Sequence, residues 1–280
     1  MYNLKVGFTL DLTQSRHGDL VAFTPCCWRR FPLLVVADVL GNQKPLEPLR
    51  THTQFHSVGA IGWSPDGQRL AFEGYRMIDD ELDIAVWIVG LDGTGLTRLT
   101  TLPYDPESGI GAENDALAWT EDGILYSDGP DLRSVAVRPG TVSVTTDDTA
   151  PASRLRGRAA AESHDPESTL VLRRVRSLRI SGDGTVIVME RFSKDGERSF
   201  WTAAPDGSNA RRILTELGTP RSATYRSVMP NYNGRRFLAS RHYVYSNRAS
   251  QLITWSVGRR PSAARTLKFA NYGGAGHSWN

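Results

Sequence analysis

Residues 58–100, VGAIGWSPDGQRLAFEGYRMIDDELDIAVWIVGLDGTGLTRLT, constrain this chain more than any other stretch. Val58 to Trp63 is a short apolar run that ends at Ser64-Pro65-Asp66-Gly67, where Pro and Gly occupy turn positions that suit them. Arg69 to Phe72 forms a second run, and two runs joined through Asp-Gly signal a hairpin. Asp83 to Val89 is rich in Ile, Val and Trp, as strands are. Asp92-Gly93-Thr94-Gly95 then reverses the chain into a fourth short strand, Leu96 to Thr100. Four antiparallel strands of this length cannot bury both faces alone, so similar units must stack on either side.

The chain repeats the unit. His17-Gly18, Asp66-Gly67, Asp122-Gly123, Asp183-Gly184 and Asn233-Gly234 follow one another at intervals of 49, 56, 61 and 50 residues. The residues leading into the last four align as IGWSPDG, LAWTEDG, LRISGDG and VMPNYNG, and DIAVWIVGLDGTGLTRLT matches SFWTAAPDGSNARRILT with Trp87 against Trp201. This period with this hairpin content predicts an all-β propeller of four-stranded antiparallel blades.

WSPDGQRLAF followed by DIAVWIVGLDGTGLTRLT resembles the WD40-like repeat of the TolB β-propeller family, and PDGSNARRILT is similar to its second half. The resemblance covers roughly residues 8 to 267 and implies one propeller domain across the 280-residue chain. It implies a protein-binding role through TolB, and a periplasmic place, while the wider superfamily also holds peptidase gating domains and lyases. Fold alone does not choose among these.

The expected blades span about 8–50, 58–100, 116–146, 171–216 and 222–267. An irregular insertion is expected at 147–170, DDTAPASRLRGRAAAESHDPESTL, carrying His164. Trp279 aligns with Trp63 and Trp119, so residues 276–280 read as the inner strand of a sixth blade, incomplete or completed by the N-terminus. Five to six blades are therefore expected. The alternative is a five-bladed ring in which the tail pairs with residues 3–12.

Linkers that enter inner strands line the mouth of a propeller's central channel. They point to His52, His56, Glu113, Asp115, Arg174, Tyr225, Arg226 and His277 as the partner-binding set. His52 and His56 are four residues apart, but the sequence around them reads as loop or strand, and no third ligand accompanies them for a metal. Asp79, Asp80, Glu81 and Asp83 lack the glycine and bidentate glutamate of an EF-hand, so the cluster reads as a solvated hairpin tip, with Asp83 structural. Cys26 and Cys27 are adjacent and read as two small side chains near a strand. No metal or cofactor is expected.

Charge is distributed unevenly. Residues 1–148 carry 11 Lys and Arg against 21 Asp and Glu, whereas residues 149–280 carry 22 against 9. Arg outnumbers Lys 29 to 4, and the doublets Arg173-Arg174, Arg211-Arg212, Arg235-Arg236 and Arg259-Arg260 all fall in the basic half. Guanidinium forks suit carboxylate and phosphate. The split predicts an acidic protein or small anionic ligand, or self-association between unlike halves. Basic and aromatic residues are not interleaved as in nucleic-acid binders.

No Gly-x-Ser-x-Gly, phosphate loop, dinucleotide fingerprint or His-Glu-x-x-His occurs. The sequence therefore predicts a binding or scaffold module working at its channel mouth. The alternative is a glycan- or peptide-directed hydrolase or lyase using channel carboxylates such as Asp11, Glu113 and Asp115. The N-terminus has no signal-peptide pattern and no run is long enough to span a bilayer, which predicts a cytoplasmic chain, or a periplasmic or secreted one if it derives from an exported precursor.

Overall fold

A computed structural model describes residues 9–25, 32–102, 116–137, 168–215, 223–243, 251–258 and 265–267. These form five blades of a β-propeller, with no helix among the described residues. No described helix is long and apolar enough to cross a membrane. The chain divides into two compact units, Met1–Leu178 and Arg179–Asn280.

One local device opens every blade. A polar residue at the end of the inner strand bonds back to the chain two to five residues on, and a glycine with positive φ follows. In blade two, Ser64 Oγ donates to Asp66 and accepts the Arg69 N–H at 2.9 Å, while Gly67 takes φ 69°. Blade four repeats this with Ser181, Asp183 and Gly184, and blade one with Ser15, Asp19 and Gly18. In blade three Thr120 replaces the serine, and in blade five Asn231 accepts the Arg236 N–H at 2.8 Å. These side chains fix the turns that the Asp-Gly pattern announces.

Blade two contains β4 (Ser57–Trp63), β5 (Arg69–Ile78), β6 (Glu81–Gly90) and β7 (Thr97–Leu102), in that order across its sheet. Its strands are apolar on both faces because both are covered, and successive residues alternate between the two cores. Leu70, Phe72, Ala85, Trp87 and Val89 pack towards blade one, with Ala22, Leu34 and Val36. Ala71, Ile84, Val86 and Ile88 pack towards blade three, with Leu117, Trp119 and Tyr126. Gly62 allows the inner strands of blades two and three to approach: a Cβ there would lie 2.7 Å from Leu117 and 3.3 Å from the Ala118 Cα.

Blade one has three strands, β1 (Thr9–Gln14), β2 (Leu20–Pro25) and β3 (Val35–Asp38). The Val36–Leu46 bridge stands where a fourth would pair. Blade three consists of β8 (Leu117–Trp119), β9 (Ile124–Asp128), β10 (Asp131–Val135) and β11 (Ser168–Arg173). This corrects two expected boundaries. Blade three does not end near 146, because β10 pairs with β11 from Asp131–Arg173 to Val135–Ser168. The inserted residues therefore lie within blade three, between its third and fourth strands. LRRVRSLRI, read as one run opening blade four, is broken at Arg174, whose φ of 59° turns the chain from β11 into β12 (Val175–Ile180). A non-glycine residue seldom takes that conformation, so no sequence signal marked the break.

Blade four continues with β13 (Ile187–Phe192), β14 (Arg198–Ala203) and β15 (Arg211–Thr215). Blade five comprises β16 (Ala223–Pro230), β17 (Arg236–Tyr243), β18 (Gln251–Ser256) and β19 (Arg265–Leu267). Val188, Phe200 and Leu214 pack with Val228, Phe237, Ile253 and Trp255 between these blades. Cys26, Cys27, His164 and the sixth-blade strand expected at 276–280 lie outside the described residues.

Candidate functional site

Of the residues expected at the channel mouth, His52, His56, Arg174, Tyr225 and Arg226 lie among the described residues. His52 is half-buried, and its Nε2 lies 2.8 Å from the Gly93 carbonyl in the turn between β6 and β7. His56 is exposed, and its N–H donates to the Tyr75 carbonyl at 2.7 Å. In the β5–β6 ladder Arg69 faces Gly90 and Tyr75 faces Ile84. The His52 ring thus meets the β6–β7 turn, whereas the His56 backbone meets β5. Arg174 is exposed at the β11–β12 junction. Tyr225 and Arg226 pair in β16 with Arg241 and Ser240 of β17. Glu113, Asp115 and His277 lie outside the described residues.

The acidic cluster of blade two separates into two roles. Asp79 and Asp80 form the exposed tip of the β5–β6 hairpin with φ of 50° and 64°, as a two-residue primed turn requires. Asp83 is buried. It accepts from Arg76 Nε and Nη2 at 3.0 and 2.8 Å and from Arg98 Nη2 at 2.7 Å, and both guanidiniums lie over Trp87. Three or more His, Cys, Asp or Glu side chains do not cluster as a metal site among the described residues.

A cavity of about 650 Å³ lies between the turns of blades four and five, lined by Asp183, Thr185, Arg211, Asn233, Arg235 and Arg236 among others. Its floor is a close approach of two turns. The Asp183 N–H donates to the Tyr232 carbonyl at 2.8 Å, and a Cβ on Gly234, at φ 64°, would lie 2.6 Å from Val186. Asn233 accepts the Arg235 N–H at 3.2 Å, and Asn231 accepts that of Arg236, so the backbone of the doublet is held while its side chains stay exposed. Arg211, at the start of β15, contributes a third exposed guanidinium.

Among the described residues the Asp183 carboxylate forms no ion pair with these cations. Partial burial opposes its ionisation, but the Ser181 hydroxyl and the Thr185 N–H and hydroxyl outweigh that, and the group is held below the usual carboxylate range. Arg235 and Arg236 have no side-chain hydrogen bond or ion pair among the described residues. Buried arginines elsewhere differ: Arg76 is paired with Asp83, and Arg133 lies 3.7 Å from Asp128. The cleft thus offers unpaired forks and hydrogen-bond donors, a set that recognises carboxylate or phosphate oxygens. The doublets were visible in the sequence. Their meeting depends on the contact between two turns some fifty residues apart, which no local pattern reveals.

No family model and no curated protein matches the sequence. Solved structures do match. A TolB from Agrobacterium tumefaciens, described as putative, superposes with a TM-score of 0.55 at 14% identity, over 92% of this chain and 80% of that one. The chain has the β-propeller fold of the TolB-like proteins. An oligogalacturonate lyase in complex with manganese gives a TM-score of 0.55 at 11% identity, covering 91% of this chain and 63% of the lyase. An acylaminoacyl peptidase from Pyrococcus horikoshii gives 0.51 at 14% identity, covering 94% of this chain and 39% of the peptidase. At these identities the likeness is one of fold, shared by a TolB, a lyase and a peptidase alike.

Proposed function

We propose that this chain is a binding propeller that holds an anionic group of its ligand, carboxylate or phosphate, in the cleft between blades four and five. One observation carries the reading: Arg211, Arg235 and Arg236 line a cavity of about 650 Å³, and the last two are without side-chain partners among the described residues. Guanidiniums without partners that line one cavity leave it positively charged, and an anion there takes charge-assisted hydrogen bonds from them. The TolB resemblance agrees with a binding role. The cleft lies at the turn that ends β16, whereas Tyr225 and Arg226 stand near the start of that strand.

Titration calorimetry with tripolyphosphate as probe tests the reading, with the wild-type chain compared with an Arg235→Glu/Arg236→Glu variant. Binding to the wild type that weakens at least tenfold in the variant, and falls with added salt, supports the cleft. Arg174→Glu, away from it, is expected to bind as the wild type does. Equal binding by the wild type and the doublet variant, with both folded by circular dichroism, refutes it.

A further inference from the structure

The cleft needs an occupant, and the same chain carries one of matching chemistry. We infer that the tip of the β5–β6 hairpin of a second copy docks into the blade four–five cleft, so that copies associate head to tail. The inference rests on the anion-binding reading of the cleft and names its partner.

β5 and β6 are ten residues each, whereas the other described strands have three to eight. They run on past the Arg76–Asp83 pair to a two-residue tip, Asp79-Asp80, followed by Glu81. Both tip aspartates are exposed and have no side-chain partner among the described residues, and Met77 beside them is 53% exposed. The Arg76–Asp83–Arg98 cluster braces the base of the hairpin, so the tip is presented rather than loose.

Two adjacent carboxylates on a narrow turn match two adjacent guanidiniums beside a cavity of about 650 Å³, a size typical of sites that enclose small ligands. Among the described residues neither group is engaged already: the tip aspartates are exposed and the doublet has no side-chain partner. The flanking charge has the right sense for two copies. Residues 1–148 hold 11 basic against 21 acidic side chains, and residues 149–280 hold 22 against 9. Opposite fields steer the acidic part of one copy towards the basic part of the next. Tip and cleft are different surfaces, so the contact is heterologous, and it leaves a free cleft on one copy and a free tip on the other for further copies.

Sedimentation velocity over a range of protein concentrations, at low and high salt, tests this with two reversals. Asp79→Arg/Asp80→Arg reverses the tip, and Arg235→Glu/Arg236→Glu reverses the cleft. The wild type is expected to associate at low salt and to dissociate at high salt or on adding tripolyphosphate. Each variant alone is expected to be monomeric, with association at least tenfold weaker. Their equimolar mixture is expected to associate again, because each reversed surface then meets an opposite one; misfolded variants would not restore it. A wild type that binds tripolyphosphate yet stays monomeric throughout overturns the self-docking inference and leaves the anion cleft standing. A wild type that neither binds the probe nor associates overturns both. Association that survives both reversals places the contact elsewhere and also refutes the inference.

Discussion

Replacing Asp83 with Asn tests the electrostatic logic of blade two with almost no change in shape. The Asp83 side chain is 4% exposed and bonds two guanidiniums, with Arg76 at 8% exposure and Arg98 at 21%. The amide keeps one acceptor oxygen but withdraws the carboxylate charge that both guanidiniums share. Removing one partner of a buried ion pair typically costs about 3–5 kcal/mol, because the remaining charge stays desolvated. Two features of this cluster lower the cost. Arg98 can swing to water, and the Trp87 face, 4.6 Å from the Arg76 guanidinium, still attracts a cation by about 0.5–2 kcal/mol. The expected loss is therefore about 3 kcal/mol for Asp83→Asn, and about 1 kcal/mol for Arg98→Ala, which leaves the Arg76 pair intact. Urea unfolding measures the loss, and hydrogen exchange of the β6 and β7 amides localises it to blade two. Adding Arg76→Met to Asp83→Asn removes the buried cation and is expected to restore much of the stability. A loss below about 1 kcal/mol with unchanged exchange would mean that the arginines relax into solvent and the cluster does not hold the blade.

Two further outcomes follow from the turns. Asp79 and Asp80 both sit in the left-handed region, which costs an L-residue about 1–2 kcal/mol and a short polar one such as Asp less, and which Gly enters freely. Asp79→Asn/Asp80→Gly should therefore raise stability in thermal unfolding by about 1 kcal/mol, and an unchanged or lower midpoint would count against the strain. Acid should weaken the fold through Asp19, Asp66, Asp92, Asp183 and Asp206, all held below the ordinary value of 3.8. The cause at Asp19 and Asp206 is first a serine hydroxyl, at Asp92 first the Thr94 N–H, and at Asp66 and Asp183 such donors outweigh partial burial. A depressed carboxylate contributes stability in full above the unfolded value and loses it as pH falls through the folded one. The urea midpoint should thus be level above about pH 5 and fall below about pH 4, less steeply in Asp66→Asn/Asp183→Asn; an unchanged slope would clear these carboxylates.

The sequence shows most plainly those parts of the fold that are fixed locally. All four strands of blade two lie within a few residues of where Ser64-Pro65-Asp66-Gly67 and Asp92-Gly93-Thr94-Gly95 place them, because the side chains that close those turns are neighbours in sequence. The end of blade three was not legible, since β10 takes its partner more than thirty residues on and the junction falls on Arg174 rather than a glycine. His52 was not legible for a similar reason. The sequence around it reads as loop or strand, but that its ring meets the Gly93 carbonyl, 41 residues along, has no local signal. The basic cleft lay half in view, as two doublets and a charge split; its walls are joined by contacts distant in sequence, the Gly234–Val186 approach and the Asp183–Tyr232 hydrogen bond.

The charge split also has a structural logic. The central strands of a blade bury both faces, so a buried charge within them is paired, as with Asp83 and its two arginines or Glu190 and Arg198 at 2.8 Å. Charges in excess are left to the turns and tips, where water or backbone donors meet them. In the acidic part the excess includes Asp79 and Asp80 at the longest hairpin, and in the basic part it includes Arg235 and Arg236 beside the cleft. A high-arginine composition would account for the number of guanidiniums but not for this sidedness, since the same composition in a mixed arrangement would pair them within each blade. A propeller with opposite excesses in its two parts carries complementary surfaces on separate sets of turns, and two copies of such a chain can meet without new apolar surface. Salt and charge reversal, rather than truncation of any hydrophobic residue, are therefore the perturbations to which its associations should respond.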